Sequence, residues 1–297
     1  MAPKLKLDKS PAANIRRLAT RHLDRALESA DVVTRKADPG AVHDVRTRTK
    51  RLRAIVRLAR PQMGKAYKRE NAALRDLARE LGGARDAEVM VETFDDLLAG
   101  ASDQTDGRDF APARARLGRR ALEATKELQE MADERGGSVR TGLLAVSARV
   151  PGWPIDDLDR DGLMAGVLEN YRQGRQARRE AGAAPTPEIF HEWRKRAKYG
   201  WYQMQILQPV APDLLRPVAD AYHELSSLLG DDHDLVVLSE ALRADGSDRG
   251  SVDNLQVLID GRRRELEDRA IDLGDHLYAE KPKQFRRHLT ALWKANC

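Results

Sequence analysis

The chain has 297 residues, 33% of them charged and 5% aromatic, with 52 basic against 47 acidic side chains and a net charge of +5. Few aromatics and many charges argue against a sheet-rich core and for helices with solvated faces. The single cysteine is Cys297, which excludes a disulfide framework and points to a reducing cytoplasm, while the absence of a signal-like or ~20-residue apolar run argues against secretion and membrane insertion.

Ile15, Leu18, Ala19, His22, Leu23, Ala26, Ala30 and Val33 recur at three- and four-residue steps. They predict a first amphipathic helix, interrupted at Ala37-Asp38-Pro39-Gly40, with His22 at its edge. A second helix runs from about Ala41 to Arg60 and stops at Pro61, because proline cannot donate within a helix. A third covers Lys65 to Leu81 and is broken by Gly82-Gly83. A fourth begins near Asp86, whose carboxylate is placed to cap free amides, and ends by Gly100. Ala101–Asp109 reads as a mobile loop. Ala111–Glu134 and Ser138–Ala148 read as helices, and Val150-Pro151-Gly152-Trp153-Pro154 is the strongest break in the chain.

The second half repeats this order, with helices over Leu163–Gly182, Thr186–Gln208, Asp213–Leu229, Asp232–Ala244, Leu255–Leu277 and Lys283–Ala295. The expected fold is all-α, two tandem antiparallel helical bundles spanning 12–150 and 155–295. Asp103–Asp109 and Asp245–Asp253 are candidate lids.

The repeat is visible in the residues themselves. His43, Arg46, Arg48 and Lys50 return as His191, Arg194, Arg196 and Lys198, and Leu81-Gly82…Asp86 returns as Leu229-Gly230…Asp234, always 148 positions later. The 48 residues from each histidine align without a gap, with eleven identities that include Pro61 and Pro209. At 100° per residue, His43, Arg46, Lys50, Arg53 and Arg57 share less than a quarter of the helix circumference, opposite an apolar face. Crowded like charges at these spacings are unfavourable without an anion, so the stripe points to a polyanion ligand. The second copy keeps His191, Arg194 and Lys198, with Lys195 a further candidate ligand beside them, but has Tyr199, Trp201 and Gln205 where the first has Arg51, Arg53 and Arg57. The two half-sites are therefore expected to bind unequally. Arg48 and Arg196 point to the apolar side and are expected to pair with carboxylates.

Other basic clusters are candidates to join the site. They contain Arg172 and Arg175, then Arg114 and Arg116 with their counterpart Arg262, and finally Lys283 and Arg286. Arginine dominates, and its planar fork suits bidentate phosphate contacts.

His43–Arg53, Leu81-Gly82-x-x-Arg85-Asp86, His191–Lys198 and Leu229-Gly230-x-x-His233-Asp234, with the closing stretch Ala279–Trp293, resemble the CHAD domain family, named for its histidines and all-α fold. The resemblance covers about residues 12 to 295. It implies two helical bundles related by a pseudo-two-fold axis around a central basic cavity, binding of inorganic polyphosphate, and association with polyphosphate granules. It also implies that His43, Arg46, Lys50, Arg53, His191, Arg194 and Lys198 hold the phosphates. The triphosphate tunnel domain that accompanies some members is not expected here. With about eight cations engaged, log affinity is expected to fall with log salt at a slope near −6 to −7. His43 and His191 are expected to be neutral donors near neutral pH, with affinity rising between pH 8 and 6.

Two rivals remain. Asp231, Asp232, His233 and Asp234 resemble part of a metal-dependent phosphohydrolase site, although the first copy has Arg85 where a ligand would be needed. Gly-x-x-x-Asp is more simply read as a helix start. Trp193, Trp201 and Tyr202 could stack on nucleic-acid bases, but Trp193 and Tyr202 fall on the core side. There is no phosphate loop, nucleophile elbow or Cys–His pair. The expectation is a cytoplasmic, non-enzymatic polyphosphate binder with no cofactor, no metal, no catalytic residue and no membrane partner; nucleic acid is the second choice of partner.

Overall fold

A computed structural model of the protein describes residues 3–82, 84–101, 110–244 and 249–296. Among these there is no strand; the elements are helices joined by short turns. Helix α1 spans Pro11–Lys36, with the Ser10 hydroxyl accepting from the Ala13 amide at its start. Its C-cap Ala37 takes a left-handed conformation at φ 49°, and Asp38 then caps α2, Pro39–Leu58. Next come α3 Arg60–Met63, α4 Lys65–Glu80, α5 Ala84–Gly100, α6 Ala111–Glu130 and α7 Ala132–Arg149. A 3₁₀ turn at Val150–Gly152 leads to α8 Arg160–Ala183, α9 Pro187–Leu207, α10 Pro212–Ala244, α11 Arg249–Leu277 and α12 Pro282–Asn296.

Two expected helix boundaries are corrected. The Gly136-Gly137 pair does not interrupt α7, which begins at Ala132. A β-carbon on Gly136 would stand 2.3 Å from Thr34 Oγ1, so the glycine serves the close approach of α7 to α1. Likewise α10 continues through Leu229–Asp232, where a break was expected. Its Gly230 is buried against α9, and Asp232 accepts from Arg263 Nε of α11 at 2.7 Å instead of capping a new helix. Tertiary contacts thus outweigh the local helix-breaking tendency of glycine. The loop expected over Ala101–Asp109 lies, beyond Ala101, outside the described residues. Of the second expected lid, 245–248 lies outside them and 249–253 belongs to α11.

One contiguous apolar core runs through both halves of the chain. Helix α2 packs on α1, α4, α8 and α9; α9 packs on α8 and α10; and α5 packs on α10. His22 is not at an edge: it is 2% exposed inside this core. Burial, reinforced by Arg51 and Arg48, pushes its pKa down to about 3. Arg48 pairs with Asp44 at 3.0 Å and Arg196 with Glu192, each within one helical turn. No described helix is long and apolar enough to cross a membrane.

Candidate functional site

Helices α2, α5, α9 and α10 enclose a cavity of about 520 Å³. From α2 come His43, Arg46, Lys50 and Arg53; from α9, His191, Arg194, Lys195, Lys198 and Tyr199. Asp86, Val89 and Met90 of α5 and His233, Asp234 and Val237 of α10 complete the wall. Five of the eleven repeated identities therefore meet here as pairs, His43 with His191, Arg46 with Arg194, Lys50 with Lys198, Asp86 with Asp234 and Val89 with Val237.

The Gly-x-x-x-Asp motif marks a helix start in the first copy, where α5 begins at Ala84, but not in the second, and in both it has a further role. Along a helix, positions i and i+4 lie one above the other. Gly230 and Asp234 of α10 therefore offer Arg194 a gap beside a carboxylate. Gly82, in the turn before α5, offers Arg46 the same beside Asp86, its β-carbon position lying 3.6 Å from both Arg46 Nη1 and Asp86 Oδ2. Arg46 Nη2 donates to Asp86 Oδ1 at 2.8 Å and Nη1 to the Leu81 carbonyl at 3.3 Å. Arg194 Nη1 lies 3.7 Å from Asp234 Oδ1. The repeat of both motifs at one offset was the sequence signal for this; local helix-start chemistry obscured it.

Electrostatic strain is concentrated on two half-buried lysines. Burial, then the neighbouring Lys198, Arg46 and Arg194, pushes Lys50 down to about 8. Burial and Arg194 do the same to Lys198, also to about 8, against the pull of Asp234. The His191 and His233 rings lie 4.3 Å apart. Burial, followed for His191 by His233 and for His233 by Arg194, pushes each down to about 4. Both rings are thus neutral donors or acceptors near pH 7. Burial raises the Asp234 carboxyl despite Arg194 beside it.

Several basic residues grouped with this site stand elsewhere. Arg57 lies on the same stripe, but α9 crosses α2 there. Its guanidinium sits 3.9 Å over the Tyr199 ring and donates to Asn71 Oδ1 at 2.7 Å. Arg114 of α6 forks onto Asp95 of α5 at 2.8 and 3.1 Å, with Arg116 half-buried further along α6. Arg262 pairs with Glu265 at 2.9 Å beside a second cavity between α5, α10 and α11. Arg172 is exposed on α8, and Arg175 donates to the Tyr278 carbonyl at 3.0 Å. Lys283 and Arg286 belong to α12, Arg286 lying 3.4 Å from Asp161. Sequence periodicity told which face each residue occupies, but not which helix covers that face.

The aromatic candidates do not open onto the cavity. Trp193 is fully buried, Tyr202 is 3% exposed, and Trp201 stacks on Tyr202 and meets His223 edge-on. The acidic run of α10 diverges: Asp232 turns to Arg263, Asp234 to Arg194. Among the described residues no three His, Cys, Asp or Glu side chains converge as a metal cluster.

The fold and the cavity together define an all-helical protein with a cationic interior site. A family model, the CHAD domain, matches residues 17–243, and the chain belongs to that family. Its fold is similar to the crystal structure of the CHAD domain from the plant Ricinus communis, with a TM-score of 0.60 and 18% identity over 98% of this chain and 95% of that one. No curated protein matches the sequence.

Proposed function

We propose that this chain binds inorganic polyphosphate in the cavity between α2, α5, α9 and α10, without turning it over, and that binding carries it to polyphosphate granules in the cytoplasm. The observation that carries the reading is the balance of the cavity wall. Arg46, Lys50, Arg53, Arg194, Lys195 and Lys198 face two carboxylates, Asp86 and Asp234, and both of these lie against an arginine. Two lysines held near pKa 8 and two neutral histidine rings complete a surface short of anions. Membership in the CHAD family, known for binding polyphosphate, supports the choice of polymer. We take the chain as two helical repeats, 12–150 and 155–295, related by a pseudo-two-fold axis through this cavity. The paired identities in its wall support that.

A nucleic acid would offer bases as well as phosphates, and base recognition by single-strand binders relies on stacking platforms. Here the aromatic rings are buried or half-buried in helix packing, so charge and hydrogen bonding are the means of recognition available. The test is competition between long-chain polyphosphate and single- and double-stranded DNA at matched charge and two salt concentrations. Polyphosphate binding that survives excess DNA supports the reading, and equal displacement by DNA overturns it. Incubation with polyphosphate should release no phosphate.

A further inference from the structure

We infer that α12 carries a second, outer contact surface for a phosphate polymer, distinct from the cavity and resting on the proposed polyphosphate reading. Between Pro282 and Asn296 there is no Asp or Glu, while Lys283, Arg286, Arg287 and Lys294 are all exposed. At 100° per residue these four fall within about 100° of arc. The adjoining face, Phe285, Leu289 and Trp293, is buried. It fixes the helix to α8: Phe285 stacks on Tyr171 with centroids 3.9 Å apart, and Arg160 lies 5.2 Å over Trp293. The cationic face therefore points away from the core on a firmly seated helix.

Helix stability does not account for the position of these charges. Cations help at a helix C-terminus, where Lys294 sits, but work against the dipole at the N-terminus. Lys283 stands in the first turn, Arg286 and Arg287 in the second, and no acid accompanies them. Of the three, Arg286 alone has an ion pair among the described residues, a 3.4 Å contact with the exposed Asp161. An external anion supplies what the helix lacks.

The kind of anion follows from what the face leaves out. A membrane-surface helix puts apolar side chains outward into the lipid, and a single-strand nucleic-acid surface presents aromatic rings. The large apolar side chains of α12's anchoring face are turned inward and none is exposed on the helix, so its outer face offers charged and polar groups. That suits a flexible polymer of repeating phosphates whose length outruns a 520 Å³ cavity.

The experiment compares tripolyphosphate with a chain of several hundred phosphates on three proteins: wild type, a variant combining Lys283→Gln, Arg286→Gln and Arg287→Gln, and the cavity variant Arg46→Ala with Arg194→Ala. For the α12 variant, long-chain affinity should fall at least fivefold at 0.1 M salt. Its salt slope should become shallower by about 2, at ~0.7 per cation lost, and tripolyphosphate binding should stay at the wild-type level. A variant with Lys283→Gln and Arg287→Gln alone keeps the Arg286–Asp161 pair and should show the same direction if the triple variant is unstable. Unchanged long-chain binding, or an equal loss for both lengths, overturns the inference, as does wild-type binding to anionic vesicles that the α12 variant loses. Failure of the cavity reading looks different: the cavity variant would then bind both lengths as wild type does.

Discussion

Arg194 lies over the backbone of Gly230 so closely that a β-carbon there would stand 3.2 Å from Nη2 and 3.5 Å from Nε. At Gly82 the corresponding β-carbon would be 3.6 Å from Arg46 Nη1 and 3.2 Å from the Arg79 carbonyl oxygen. Gly230 sits in the interior of a continuous helix, where glycine costs about 1 kcal/mol relative to alanine. A residue that weakens its own helix yet admits an arginine is there for the arginine.

Gly230→Ala should therefore separate stability from binding. Thermal denaturation should give an unchanged or slightly higher Tm, by about 2 °C for a chain of this size. The guanidinium must shift by a few tenths of an ångström, and affinity for short polyphosphate should fall about 3- to 10-fold, or ~0.7–1.4 kcal/mol. Side-chain ¹⁵N signals of Arg194, read without ligand, should move. Unaltered affinity together with unaltered arginine signals would show that the glycine is there for helix packing.

This relationship also marks how far the sequence could be read. His43, Arg46, Lys50, His191, Arg194 and Lys198 were legible as a group because identity at a fixed offset and helical phase together define a shared face. The helices were legible for the same reason of period. Gly82 was read correctly as a break, with α5 beginning at Ala84, but Gly230 was not, because glycine followed by aspartate locally resembles a helix start and here lies inside α10. Only the opposing helix shows that the pair embraces an arginine. Arg57 and Arg114 looked like ligand residues because Tyr199 and Asp95, which engage them, come from other helices. One-dimensional periodicity places a side chain on a face and says nothing of what lies across from it.

The pH dependence moves from the histidines to the lysines. A lysine in the unfolded chain titrates near 10.4, and Lys50 and Lys198 are pushed down to about 8. A lowered lysine pKa means that folding disfavours the charged form. That burden is fully present below pH 8 and is relieved as pH rises from about 8 to 10.4, so the empty protein should gain stability over that window. A polyanion among Arg46, Arg194, Asp86 and Asp234 works in the opposite sense and restores the lysine charges. Binding should take up protons and weaken as pH climbs from 7 to 9. The steep part should lie near pH 8, above the range in which His191 titrates. Titration calorimetry at pH 8 in buffers of different ionisation enthalpy measures the uptake; Lys50→Arg with Lys198→Arg should abolish it, and buffer-independent heats in the wild type would refute it.

Salt dependence reports how many cations engage. Six cationic side chains line the cavity, which at ~0.7–0.9 per phosphate contact gives a slope of log affinity against log salt of about −4 to −5 for a ligand confined there. That is shallower than eight contacts would give. Arg46→Ala with Arg194→Ala should reduce its magnitude by about 1.5 and weaken binding at least ~100-fold, since each charge-assisted hydrogen bond contributes about 1.5–3 kcal/mol. Adding Asp86→Asn and Asp234→Asn should recover part of the loss, because the alanines leave two carboxylates facing the ligand. A slope steeper than −6 with tripolyphosphate would mean that contacts outside this wall take part.

The unequal repeats are best explained by the seam between α2 and α9. Where the first copy has Arg51, Arg53 and Arg57, the second has Tyr199, Trp201 and Gln205, and these meet the first copy's own arginines. Arg57 lies 3.9 Å over Tyr199; Arg51 lies 4.6 Å over Tyr202 and donates to Gln205 Oε1 at 3.1 Å. Had the second copy kept its cations, like charges would face one another across a half-buried crossing. Tyr199→Arg recreates that collision. It removes a ring that is 6% exposed and a cation–π contact of about 0.5–2 kcal/mol, and places an unpaired charge in the seam. The expected cost is about 3 kcal/mol, seen as a Tm lower by roughly 5–10 °C. Tyr199→Phe keeps the ring and should cost under ~1 kcal/mol. Equal losses for the two variants would mean that the phenol hydroxyl, and not the face beneath Arg57, holds the seam together.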